Sequence, residues 1–417
     1  MLYFIWVNTM KVLIIGGGPS GLMCACKASE RHEVVLIEKN EKVGKKIYIT
    51  GKGRCNVTNN CSTQEFINNV VTNPKFLYSS INNFTPQNVI EFFESSGVTL
   101  VTERGNRVFP YSYHASDITK ALVNNCIKNN VKINLNEEVL EVIKKDDKFI
   151  VKTDKKVYEV DKVVIATGGL AYPNTGSTGD GYKFARKMDI KVINQVPALV
   201  PLLIGDELPR ELYNFTFKNV QISAKNNKNN KFLAKEFGEL MTMKGALGGP
   251  IALTVSSLIN GYDYHDIDLE LDFKPSLTKE MLDARIKRVI EELKKRANSN
   301  AFILVRGLAP NGLIQLILKR TNIDSNLKIK LITQEHIDKI IETLKSFKLK
   351  YLGLESFNKA IVTKGGIDVK ELNPQTMEVK KISGLYFVGE VIDVDAFTGG
   401  FNMQIALSTG FVCGKAI

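Results

Sequence analysis

The sequence predicts an α/β protein organised on a βαβ unit near its N-terminus, and three observations carry that prediction. Residues 12–15 (VLII) form an apolar run that enters the glycine turn 16–21 (GGGPSG). A helix-like segment and a second apolar run, 34–37 (VVLI), follow and end in Glu38. A later apolar run, 163–166, ends in Thr167, Gly168 and Gly169. The chain returns at 385–388 (LYFV) to a strand, followed by acids, by Gly399 and Gly400, and by a last helix.

Each part of the first unit has a physical task. Gly16 permits the tight turn, Gly18 lets the backbone approach a pyrophosphate with no Cβ in the way, and Gly21 lets the helix lie close to the strand. The helix N-terminus offers free N–H groups and a partial positive charge to phosphates. Glu38 stands where an acid accepts hydrogen bonds from ribose hydroxyls. Strand, glycine turn, helix, strand and acid together are the pattern of a dinucleotide site.

After Glu38, the stretch 44–56 concentrates Gly44, Gly51 and Gly53 with Lys45, Lys46, Lys52, Arg54, Cys55 and Asn56. It follows the ribose-binding strand and can continue along the same ligand. Residues 62–130 read as mainly helical, interrupted by a loop at 107–114 where Arg107, Tyr111 and His114 are candidates to face a substrate. Ser116 or Asp117 can cap the helix after it. From 131 to 160 short strands (VKINL, VLEVIKK, FIVKT, VYEV) alternate with polar turns, the pattern of a β-meander. The strand 163–166 ends in small residues and can lie edge-on beside a dinucleotide. Gly176, Gly179 and Gly181 then precede a short helix.

Near Lys191 the character changes. Residues 192–274 read as an antiparallel β-rich insert, and 275–350 as a helical insert in which Thr278 is an N-cap. In the latter, Ile286, Val289, Ile290 and Leu293, and again Ile337, Ile340, Ile341 and Leu344, fall on one helical face. The final segment offers a second polar site. Glu390, Asp393 and Asp395 can bind polyol hydroxyls, and the helix after Gly400 can stabilise negative charge.

Bulk properties exclude several classes. The 417 residues suffice for two or three domains and a large core. The net charge of +12 comes from scattered lysines and arginines with no basic run or tail, which argues against a nucleic-acid partner. Six cysteines without a CxxC pair and four histidines without metal spacing give neither a disulfide scaffold nor a zinc site, and fit a reducing cytoplasm. The first ten residues are apolar but lack the features of a signal peptide, and no segment is apolar for long enough to cross a membrane. Met10 directly precedes the first strand, so the residues before it read as an extension or an upstream start.

Taken together, 16–21 with Glu38, GKGRCNVTN (51–59), ATGGLAYPNTGSTGDGY (166–182), VTKGGIDVKELNPQTME (362–378) and GLYFVGEVIDVDAFTGGFNMQIALSTG (384–410) resemble the BaiN/YhiN-like family of NAD(P)/FAD-dependent oxidoreductases. The resemblance implies FAD in a glutathione-reductase-type, Rossmann-like FAD-binding α/β domain built from residues 1–191 and 351–417. The insert at 192–274 would be a β-barrel-like subdomain and that at 275–350 a helical one. By the same resemblance Gly16, Gly18, Pro19, Ser20 and Gly21 would cradle the pyrophosphate, and Glu38 with Lys39 the adenosine end. Lys46, Gly53, Arg54, Cys55 and Asn56 would run along the pyrophosphate, ribityl chain and isoalloxazine. Thr167 and Gly168 would sit near the adenine half, Gly389, Glu390 and Asp393 near the ribityl chain or flavin, and Gly400, Phe401 and Asn402 at the pyrimidine edge. Where the family often has glycine before Gly-Arg-Cys, this chain has Lys52.

The implied activity is reduction of a small organic molecule, an enone or steroid-like compound, with electrons from NADH or NADPH. Tyr172, Tyr111 and His114 are the candidate proton donors. No second strand–GxGxxG–helix unit provides a dedicated nicotinamide domain, and Cys55 and Cys61 lack the spacing of a disulfide-reductase pair. The alternatives are a flavoprotein acting on tRNA and a non-catalytic flavin-binding redox sensor.

Overall fold

The computed structural model describes residues 9–417, and the apolar stretch 1–8 lies outside the described residues. The chain divides into two compact units. One runs to Ala198 and resumes at Ser356–Ile417, so both chain ends build it; the other is Leu199–Glu355.

The first unit is built on a five-stranded parallel sheet. Its order is Leu385–Phe387, Lys162–Ile165, β1 (Lys11–Ile15), β2 (Glu33–Ile37) and Lys132–Asn134. These strands are continuous apolar runs because both faces of a parallel sheet are covered; Val12, Leu13, Ile14, Val163, Val164 and Phe387 are all fully buried. The register matters most for the site. Ile15 pairs with Ile37 and Ile165, and Ile165 with Phe387, while Ile37 pairs with Asn134. The carboxyl ends of all five strands therefore reach one edge, where ligands bind in open α/β sheets. Helix α1 (Pro19–Ala28) joins β1 to β2 and packs between the helices Ala115–Lys128 and Phe401–Ala416.

Two sequence expectations need correction. The VKINL stretch does not join the meander: Lys132–Asn134 is the edge strand of the parallel sheet, and only the strands Val139–Lys145, Lys148–Thr153 and Val157–Val160 form the antiparallel meander. Arg107–Pro110 is a strand rather than a loop, paired with Leu100–Glu103 and Thr58–Asn59. Its alternation is masked because Val108, Phe109 and Pro110 are all buried.

The second unit has its own apolar core. Seven strands lie in the order Phe347–Leu349, Ile267–Asp272, Phe215–Asn226, Phe232–Met243, Ala246–Gly248, Leu202–Ile204 and Tyr351–Leu354. The first and last strands of that order are separated only by Lys350, so the sheet must curl on itself. The helices Lys279–Lys294 and Gln334–Lys345 bury Ile286, Ile290, Leu293, Ile337, Ile340, Ile341 and Leu344 in the same core. Thr278 caps the first by accepting the Met281 N–H. The β-rich and helical stretches thus share one core, and Val192–Ala198 pairs with Val362–Ile367 in the first unit.

Candidate functional site

The parallel sheet opens at its carboxyl edge into a cleft in the first unit, the place where open α/β sheets bind their ligands. β1 delivers the glycine turn to it. Gly16 takes φ +109° and donates its N–H to Ile37 at 2.8 Å. A Cβ on Gly21 would lie 2.0 Å from the Gly16 carbonyl oxygen, so the helix can approach the strand only without one. A Cβ on Gly18 would meet nothing within 4 Å, because that side faces the open cleft. Gly18 is the N-cap of α1 and no side chain caps the helix, leaving its first N–H groups to a ligand.

Glu38 is tied to this turn. One carboxylate oxygen accepts the Gly17 N–H at 2.8 Å; the other accepts the Asn40 N–H at 2.9 Å and the Asn40 side-chain amide at 2.6 Å. A carboxylate has about four acceptor positions, so Glu38 keeps room for about one more donor. Lys39 is engaged by Asp180 at 2.6 Å and Thr178 at 2.5 Å. Burial alone would raise the Asp180 carboxyl, but hydrogen bonds from Lys39, Lys183 and Thr178 outweigh it and hold the group at about 2.

The far end of the chain enters through Glu390. Its carboxylate accepts from Lys46 at 2.9 Å and from the Thr363 N–H at 3.0 Å. Thr167 lines the cleft, but its hydroxyl is buried on the side of Gly181 with no hydrogen-bond partner, as the Asn56 side-chain oxygen is on the side of Gly400. Asn402 lines the cleft while its amide clamps Ala396, accepting from its N–H at 3.0 Å and donating to its carbonyl at 2.7 Å. Burial raises the Asp393 carboxyl, which accepts from the Gly365 N–H at 3.0 Å and the Asn73 amide at 3.1 Å. Burial likewise raises Asp395.

Of the sequence candidates, Gly16, Gly18, Pro19, Ser20, Glu38, Lys39, Lys46, Thr167, Gly168, Glu390 and Asn402 line the cleft together. Gly21 sits behind the turn, and Gly53, Arg54, Cys55, Asn56, Gly389, Asp393, Gly400 and Phe401 do not form its wall. Arg54 turns instead to Glu103 at 3.0 Å and stacks on Phe109. Cys55 is fully buried, which pushes its thiol up to about 12; it is one of six free cysteines. Tyr172, Tyr111 and His114 are not brought to the cleft. Sequence reasoning missed Glu137 and Glu138, which line it. The signal was the strand Lys132–Asn134: once it pairs with β2, the residues after it fall at the same sheet edge. Asp180 was missed because only the glycines around it were weighed.

Comparison with known proteins agrees with this architecture. The pattern of the family described as "HI0933-like protein Rossmann domain" matches residues 10–416. The chain is 31% identical to the ribosomal RNA dihydrouridine synthase of Escherichia coli, over 98% of both chains. It is 29% identical to the 3-dehydro-bile acid delta(4,6)-reductase of Clostridium scindens, over 97% of this chain and 98% of that one. Among solved structures, the 3-ketosteroid delta1-dehydrogenase of Sterolibacterium denitrificans superposes with a TM-score of 0.52 at 12% identity, covering 98% of this chain and 99% of that one. That likeness is one of fold. A match along nearly the whole chain, on a parallel sheet that gathers the glycine turn, the acid and the C-terminal motif at one edge, places this chain in the HI0933-like Rossmann family of flavoproteins, the BaiN/YhiN-like family of its sequence motifs.

Proposed function

We propose that the protein is an FAD-dependent reductase of a carbon–carbon double bond conjugated to a carbonyl, supplied with electrons by NADH or NADPH. One observation carries the reading: two relatives matched over 97% or more of this chain have names that describe the same chemistry. A 3-dehydro-Δ4,6 bile acid is a conjugated ketone, and dihydrouridine is uridine with the double bond next to its carbonyl saturated.

The residues present fit FAD. The uncapped α1 N-terminus and the open side of Gly18 suit a pyrophosphate. Glu38 has acceptor capacity left for a ribose hydroxyl. FAD held there would supply a hydride to the carbon β to the carbonyl, the carbon α to it taking its proton from water. The chain contributes positioning: Lys46 and Glu390 fix each other across the cleft, and the helix after Gly400 directs its N-terminal partial charge inward from the C-terminal motif.

The steroid-like substrate rests on the bile-acid relative. Uridine in RNA is the second reading, favoured by the E. coli and Haemophilus influenzae relatives. The test is anaerobic reduction of the flavoprotein, followed by incubation with a 3-oxo-Δ4 steroid and, separately, with uridine-containing RNA. Gain of two hydrogen atoms by either, read by mass spectrometry, supports the reading. Reduction of neither contradicts it.

A further inference from the structure

Beside the cleft, the small sheet of the first unit carries an arginine and tyrosine patch that does not form the cleft wall. Tyr111 is 69% exposed and Tyr113 41%. The Arg54 guanidinium lies 4.4 Å from the centre of the Phe109 ring and 5.4 Å from that of Tyr113, and Arg107 lies 5.9 Å from Phe109. Glu103 orders this arrangement, pairing with Arg54 at 3.0 Å and lying 3.7 Å from Arg107. Lys52 and Arg104 are exposed at its margin, so the basic side chains outnumber the one acid among them. Tyr113 is held at φ +58°, a left-handed conformation that is an outlier for a bulky residue and of a kind that clusters at functional sites. The patch adjoins the cleft through the chain itself. Thr50 lines the cleft, and Gly51 packs so closely that a Cβ there would lie 3.3 Å from the Phe109 ring.

We propose that this surface binds single-stranded RNA and presents an unstacked uracil to the adjoining cleft. Exposed rings stack on bases whatever their sequence, and guanidinium groups pair with phosphates. A strand with one phosphate per nucleotide matches several dispersed cations, whereas a small molecule with a single anionic group would occupy only one. The inference rests on the double-bond reductase reading with uridine as the substrate.

The experiment uses the full-length protein and a fluorescein-labelled oligouridine of about 12 nucleotides, within the span of known single-strand sites, with binding read by anisotropy. Tyr111→Ala combined with Tyr113→Ala weakens binding at least tenfold, and Tyr111→Phe with Tyr113→Phe restores it because the rings return. Arg104→Gln with Arg107→Gln lowers the slope of log affinity against log salt by about 1.4, at about 0.7 per phosphate. Melting temperature and flavin content report that the variants are folded. Absent binding by the wild type, or equal binding by the alanine variant, overturns the inference. If a steroid enone is reduced but RNA is not bound, this inference fails and the reductase reading stands. If RNA is bound through these residues but no double bond is reduced, the reductase reading fails and the surface assignment stands.

Discussion

Lys46 and Glu390, 344 residues apart in the chain, meet at 2.9 Å across the cleft, each side chain 20% exposed. Glu390 also accepts the Thr363 N–H, so one carboxylate ties the N-terminal loop to two C-terminal segments. A half-buried pair of this kind contributes about 1 kcal/mol. Glu390→Gln is expected to leave the fold intact, lower the melting temperature by about 2 °C and increase flavin loss on gel filtration. Unchanged flavin retention would remove Glu390 from the cofactor site.

Glu38→Ala orphans the Gly17 N–H and both Asn40 donors. An unpaired buried donor costs about 1–3 kcal/mol, and the glycine turn loses the contact that shapes it. The absorbance ratio of flavin to protein is expected to fall several-fold. Glu38→Gln retains one acceptor oxygen and is expected to retain more flavin than the alanine variant. Equal flavin content in all three proteins would contradict the role of Glu38.

Lys52 is held at φ +59°, in the left-handed region. That conformation costs a side-chain-bearing residue about 1–2 kcal/mol, partly offset by the extra unfolded freedom of glycine. Lys52→Gly is expected to melt no lower than the wild type, and Lys52→Val several degrees lower because its branched Cβ fits the region worst. Scanning calorimetry decides; a glycine variant that melts lower than the valine variant would refute the strain.

Asp180 titrates well below the ordinary carboxylate value of 3.8, at about 2, through Lys39, Lys183 and Thr178. Its folded value is depressed, so its stabilisation is complete above about pH 4 and is lost as pH falls through about 2. Unscreened, the shift corresponds to about 2.5 kcal/mol; Lys183 is largely in water, so about 1 kcal/mol survives. Denaturant titrations between pH 5 and 2 are expected to show wild type and Asp180→Asn converging at the acid end. Parallel curves would contradict the linkage.

The parallel sheet was legible because its strands are unbroken apolar runs and its turns keep glycine at fixed spacing. The acid Glu38 was legible for its place, though its bonds to Gly17 and Asn40 were not, since those depend on how the turn closes. Lys132–Asn134 was lost to the meander because three residues carry no period of their own and only pairing with β2 defines them. Glu137 and Glu138 were lost with it. Arg54 was expected in the site from its glycine-rich neighbourhood but does not line the cleft; its stacking on Phe109 requires the small sheet, whose buried strand Arg107–Pro110 shows no alternation. The two expected inserts share a core that no local pattern announces.

The central claim is that this chain holds FAD and passes electrons through it. The most direct measurement is the visible spectrum of the purified full-length protein, titrated anaerobically with NADH and then NADPH. The account predicts a yellow protein whose flavin absorbance bleaches with one of the two donors and returns when a conjugated enone or uridine-containing RNA is added. A colourless protein that cannot be reconstituted with FAD would contradict it.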